Sequence, residues 1–200
     1  MRILAGIGAL AIVIAVAAGA YFFGGFYSVA GTAEDPGIVK WVLVQVRTAS
    51  IKHHATDTPP AGFADPAKVA AGAKAYAAAG CANCHGGPGT DWAKFSEGLR
   101  PEPPDLKEVV NDRTPEQLFW VIKNGINMTG MPGFSLAGAK DDDLWAVTAF
   151  LKKLPSVSEA DYKSWTAPPP AAAPAPVAPV PPALVPDASP PPAAPATPNP

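Results

Sequence analysis

Apolar and polar residues follow three regimes along this chain of 200 residues. The first is unbroken: "ILAGIGALAIVIAVAAGAYFF", Ile3 to Phe23, contains no charge. As a helix rising about 1.5 Å per residue it spans roughly 31 Å, close to the hydrocarbon thickness of a bilayer. Tyr21, Phe22, Phe23, Phe26 and Tyr27 follow as an interfacial aromatic belt would, which favours a retained anchor. Ala15-Val16-Ala17 has the form of a cleavage site, so a removed signal peptide is the competing reading. Arg2 alone precedes the span, which leaves the N-terminus in the cytoplasm and carries the remainder across the membrane.

The second regime is "PGIVKWVLVQVRTASIKHHA", Pro36 to Ala55. Ile38, Trp41, Val42, Val44 and Val46 alternate too closely for a clean helical face, although Pro36 suits a helix start. The expectation is a juxtamembrane segment lying at the lipid surface or against the following domain. Neighbouring residues on a helix or strand point in different directions, so His53 and His54 read as exposed polar residues rather than paired metal ligands.

The third regime, from Asp65 to Pro155, has helical spacing. Asp65 suits an N-cap and Pro66 a first helical position; Val69, Gly72, Ala73 and Tyr76 follow as one face, and Gly80 closes the run. A second helix starts at "TPEQ", with Thr114 capping, Pro115 first and Gln117 able to complete a capping box. Leu118, Val121 and Ile122 form its expected face and Gly125 its end. A third starts at Asp141-Asp142-Asp143, acids that favour the positive end of the helix dipole, and ends at Lys152 and Lys153 before Pro155. Its face is Leu144, Val147, Thr148 and Leu151, flanked by Trp145 and Phe150. No strand pattern is present, so the fold class is all-α.

Composition divides the chain further. Fifteen of the 26 prolines lie between Pro168 and Pro200, a stretch too poor in large apolar residues to build a core. It predicts a polyproline-like disordered tail or spacer, with a docking ligand for another protein as the alternative. The expected organisation is an anchor over 1–27, a connecting segment over 28–61, a domain over 62–165 and a tail over 166–200. Net charge is -2, which offers no basic footprint for nucleic acid. A domain of roughly a hundred residues buries a modest core, which a large buried prosthetic group would help complete.

The chemistry concentrates in "GCANCHG", which holds both cysteines, Cys81 and Cys84, beside His85. A disulfide between them closes a very small loop and stabilises little. Structural zinc needs four ligands, and no second paired motif supplies them. A thioredoxin-like dithiol expects a βαβ context, which is absent. CxxCH in an exported chain, directly after a helix, is the signature of c-type haem attachment. Two thiols add to the two vinyl groups of a porphyrin edge, and His85 is placed under the ring to coordinate iron. Electron-transfer haem c commonly pairs that histidine with methionine. The candidates are Met128 and Met131 in "NGINMTGMPGF". Met131 is favoured because Gly130 permits close approach and Pro132 fixes the chain direction, whereas Met128 suits a packed apolar role.

On "GAKAYAAAGCANCHG", "PPDL", "RTPEQLFWVIKNGINMTGMPGF" and "DDDLWAVTAFLKKLP" the chain closely resembles the class I cytochromes c, of a membrane-anchored bacterial monohaem type. The resemblance covers about 64–155, and "GGFYSVAG" and "SIKHHA" are similar, more loosely, to the segment joining anchor to haem domain. It implies a class I cytochrome c fold in which the first and last helices cross, bringing Gly72 and Tyr76 near Trp145 and Phe150. It implies one haem c held covalently by Cys81 and Cys84, with His85 and Met131 as axial iron ligands. It implies further that a proline carbonyl accepts the His85 ring N–H. Pro104 in "PPDL" is the matching residue, with Pro88 or Pro101 as competitors because of the insertion between His85 and Pro103. Leu106 would pack on the haem face, and Trp145 would line the site.

The reading is therefore a membrane-anchored, periplasm-facing carrier that passes single electrons between respiratory-chain partners at a bacterial inner membrane, with no catalytic residue of its own. Its expected partners are a membrane dehydrogenase, a cytochrome bc-type complex or a terminal oxidase. The alternatives are a cytochrome subunit within a dehydrogenase or oxidase complex, or a haem-based gas or redox sensor. Over 62–165 there are eleven basic and thirteen acidic side chains, so no lysine field steers an acidic partner.

Overall fold

Capping signals and apolar spacing become eight α-helices within residues 1–168, the part of the chain described by this computed structural model. In order they are α1 (Arg2–Phe23), α2 (Gly37–His54), α3 (Pro66–Ala78), the single turn α4 (Ala82–His85), the single turn α5 (Leu106–Val109), α6 (Pro115–Asn124), α7 (Asp141–Lys153) and α8 (Glu159–Thr166). Among the described residues there is no strand, only an isolated bridge between Gly87 and Thr90. The protein is all-α, with one N-terminal helix apolar and long enough to cross a membrane. The proline-rich tail beyond residue 168 lies outside the described residues.

The start of α6 shows how local chemistry sets a boundary. The Thr114 hydroxyl accepts the Gln117 N–H while the Gln117 side chain accepts the Thr114 N–H, and Pro115 occupies a position where a missing N–H costs nothing. Gly125, at φ +70°, ends it. In α7 three aspartates open the helix and two lysines close it, each complementing the dipole. Asp65 stands at the N-cap of α3, but its carboxylate takes no capping hydrogen bond and turns back over Gly62.

The core forms where α3 crosses α7. A Cβ on Gly72 would overlap the Ala146 carbonyl oxygen and stand 3.0 Å from the Phe150 Cβ, so this crossing is closer than any side chain permits. Tyr76 meets Phe150 one turn later, at 5.3 Å between ring centroids. Every residue of α7 from Leu144 to Leu151 is buried, because three neighbours share it. Besides α3, α6 lays Phe119 flat on Trp145 at 3.9 Å, and α8 lays Tyr162 on Phe150 at 5.7 Å. Tyr76, Phe119, Phe150, Leu154 and Val110 are fully buried, and a side chain of that kind contributes about 1.5–3 kcal/mol.

Three features differ from the sequence expectation. The buried face of α6 is Leu118, Phe119 and Ile122, with Val121 only half-buried, because Phe119 turns inward to stack on Trp145. α7 ends at Lys153, before Pro155, as expected, but an unexpected helix follows: a short 3-10 turn, Leu154–Ser156, leads into α8, where the Ser158 hydroxyl caps the Asp161 N–H. The juxtamembrane segment is helical throughout, and its apolar residues lack a core period because only its end packs on the domain. Ile51 is buried there, and the His54 ring lies over Trp120 at 5.9 Å.

Candidate haem-binding site

Gly80, at φ +74°, lets the chain leave α3 and begin the turn of α4 at Cys81. The His85 N–H bonds to the Cys81 carbonyl at 3.0 Å, which places Cys81, Cys84 and His85 on one helical turn. Both ends of that turn are tied to Tyr76. The Tyr76 carbonyl accepts the Cys81 N–H at 3.2 Å, and its buried hydroxyl donates to the Gly86 carbonyl at 2.7 Å. Burial pushes the Tyr76 phenol far above its usual range, so it stays a donor. Sequence spacing had given Tyr76 only a packing role; its polar tip, five residues before Cys81, was the available signal.

The two cysteines are free thiols. Burial pushes the Cys81 thiol up to about 11, opposite to the lowered value that a reactive dithiol needs. Among the described residues no group of three or more His, Cys, Asp or Glu side chains is arranged to hold a metal ion. His53 and His54 touch edge to face at 4.9 Å, and the His54 Nδ1 lies 2.9 Å from the Ser50 carbonyl, apart from any such cluster.

The His85 Nδ1 lies 2.9 Å from the Pro104 carbonyl oxygen. A carbonyl only accepts, so Nδ1 carries the hydrogen and Nε2 keeps its lone pair free for a metal. Burial holds the ring below the ordinary imidazole pKa, against the Pro104 carbonyl, which favours the protonated form. The acceptor is Pro104 rather than Pro88 or Pro101. Asp105 fixes it in place by accepting the Lys107 N–H at 2.8 Å, which caps α5. The insertion after His85 folds back on α4 through the Ala93 N–H and the Asn83 carbonyl, at 2.8 Å. It ends with Leu99 against Gly130, 3.0 Å from where a Cβ would stand.

Met131 lies in a separate loop, between α6 and α7. Cβ atoms on Gly125 or Gly133 would come within 2.7 Å of facing backbone, so the two strands of this loop approach as only glycine allows. The Ile126 N–H bonds to the Met131 carbonyl at 3.2 Å. The Thr129 hydroxyl accepts the Met131 N–H at 3.1 Å and donates to the Ile126 carbonyl at 2.7 Å. The Phe134 and Ser135 N–H groups then take the Ile122 and Lys123 carbonyls, each at 3.1 Å, satisfying the end of α6. Met131 is half-buried; Met128 is 85% exposed, with φ +59°. The role of Thr129 was not anticipated, although a hydroxyl two residues before Met131 in a tight loop suits it.

Leu106 is half-buried against the core, as are Cys81, Ala82 and Phe134. Trp145 is buried, stacked on Phe119 and meeting Phe63 edge-on at 5.7 Å. Two unpaired thiols and an imidazole with a free, oriented Nε2 therefore share one turn beside partly covered apolar side chains. That donor set fits a covalently attached haem.

The family model described as cytochrome c oxidase, cbb3-type, subunit III matches residues 67–151. The match runs from α3 through α7 and contains the CxxCH turn, the His85–Pro104 contact and the Met131 loop. No curated protein and no solved structure matches the chain.

Proposed function

We propose, on the premise that residues 67–151 form a class I c-type cytochrome domain with covalently bound haem c, that this protein is a membrane-tethered one-electron carrier. The observation that supports this most is the CxxCH turn, with free thiols and the His85 Nδ1 bonded to Pro104. Bound haem c supplies an iron couple that gains or loses one electron. Cys81 and Cys84 would hold the porphyrin edge, and the Pro104 carbonyl would keep His85 turned so that its Nε2 can hold the iron. Met131 would hold the iron as well, from its glycine-hinged loop, leaving no open position for a substrate, and Leu106 and Trp145 would complete the apolar surroundings. The apolar Arg2–Phe23 helix anchors the domain on the periplasmic side of a bacterial inner membrane. The domain boundaries we assign are 1–27 for the anchor, 28–61 for the connector and 62–165 for the haem domain.

An absorption spectrum of membrane and soluble fractions in both redox states tests this reading. A reversible haem c spectrum in the membrane fraction, with the reduced protein inert to carbon monoxide at neutral pH, is the expected outcome. Ready carbon monoxide binding would overturn the carrier assignment and favour a sensor. A second reading is that the chain is the cytochrome subunit of a membrane oxidase or dehydrogenase, favoured by the description of the matching family. Co-purification of a catalytic subunit in mild detergent distinguishes the two, while the relay chemistry stays the same.

A further inference from the structure

The helix α2 exposes apolar surface that the cytochrome domain leaves uncovered. Ile38, Trp41 and Val46 are 68%, 59% and 60% exposed, whereas Ile51 is 3% exposed. At 3.6 residues per turn, Ile38, Val42, Val46 and Ala49 form one stripe. Val42 and Ile51 are nine positions apart, two and a half turns, and so stand on opposite sides of the helix. The stripe therefore faces away from the surface where α2 docks on α6 through Ile51 and His54.

Charge and placement narrow the occupant. The helix has no acidic residue; Lys52 borders the stripe, and Lys40 and Arg47 stand on the opposite, polar side, the arrangement of a helix that lies in a membrane surface. Trp41 near its start is of the type that favours the membrane–water boundary. The chain between the apolar helix α1 and α2 is only residues 24–36, which keeps α2 close to any bilayer that α1 crosses.

We propose that α2 is an in-plane membrane helix: its outward stripe lies in the boundary between headgroups and acyl chains, and its last turn carries the cytochrome domain. This rests on the reading of α1 as a membrane anchor. At about 1.5 Å per residue the helix lies along roughly 27 Å of membrane surface. It thereby acts as a platform that restricts the tilt and height of the haem domain, where a flexible tether would leave both free.

The test uses the full haem-loaded chain in nanodiscs of phosphatidylcholine and phosphatidylglycerol. Haem occupies both native cysteines, so a single introduced cysteine takes a nitroxide label. The variants are Ile12→Cys in α1, Val42→Cys and Val46→Cys in α2, and Lys163→Cys in α8. Electron paramagnetic resonance then compares accessibility to oxygen, which concentrates in lipid, with accessibility to a water-soluble nickel chelate. The expected oxygen-to-nickel ratio exceeds one at 12, 42 and 46 and falls below one at 163. A ratio above one at 12 but below one at 42 and 46 overturns the in-plane helix and leaves the anchor intact. Low access to both reagents at 42 and 46 overturns it in favour of a protein cover, either a second copy or an apolar subunit. A ratio below one at 12 overturns the anchor and the inference with it.

Discussion

His85 stands on a helical turn whose two ends are both tied to Tyr76, a fully buried residue of the core. Met131 stands in a loop held by glycine backbones and one threonine hydroxyl. The His85 turn thus inherits its position from the α3–α7 crossing. The Met131 loop is assembled mainly from contacts within residues 122–135, and it meets the rest of the domain through α6, Phe134 and the Leu99–Gly130 contact. A defect in the core is expected to reach His85 first, and a defect in the loop to release Met131 while His85 stays in place.

The largest effect expected is from Gly72→Val. The new side chain meets the Ala146 carbonyl and the Phe150 Cβ, neither of which can yield without moving a helix. A loss of about 3 kcal/mol or more is expected in denaturant unfolding of the haem-loaded protein. A change below about 1 kcal/mol would show that the crossing relaxes easily. Next is Gly125→Ala, which adds a Cβ 2.6 Å from the Gly133 nitrogen at a residue with φ +70°. Strain of about 1–3 kcal/mol falls on the loop, so spectroscopic signs of methionine ligation are expected to weaken while covalent haem content holds. Haem loss without a change in ligation would reverse the ranking of the His85 turn and the Met131 loop.

Tyr76→Phe keeps the ring and removes the donor to the Gly86 carbonyl. About 1–2 kcal/mol of stability is expected to go, with methionine ligation unaffected; a thermal melt and a spectrum of the same sample check both. Pro104→Ala is the mildest change. The acceptor for His85 is a backbone carbonyl that alanine retains, so stability is expected to fall by no more than about 1 kcal/mol. A large shift of reduction potential in this variant would mean that the ring of Pro104, and not its carbonyl, orients the histidine.

Legibility in the sequence followed the range of the forces involved. The capping box at Thr114 and the charge gradient of α7 are local, and both appear where spacing placed them. The Gly72 approach needed the family resemblance, since a lone glycine in a helix does not name what it approaches. The inward turn of Phe119 and the docking of α2 through Ile51 are tertiary outcomes. Both are decided by which surface the folded core leaves uncovered, which no local pattern encodes, whereas α8 carried a local start signal in Ser158 and Asp161 that went unread. Within the site, CxxCH announces its chemistry because thiol spacing must match one porphyrin edge. The supports from the Tyr76 and Thr129 hydroxyls were silent because each polar tip also suits its residue's ordinary role.

The proposed ligation pairs His85 with Met131, 46 positions apart, on one iron. Near-infrared magnetic circular dichroism of the oxidised full-length protein detects the sulfur-to-iron charge-transfer band that only methionine ligation produces. Met131→Ala is expected to abolish this band and Met128→Ala to leave it unchanged. Retention of the band in Met131→Ala, with its loss in Met128→Ala, would contradict this pairing.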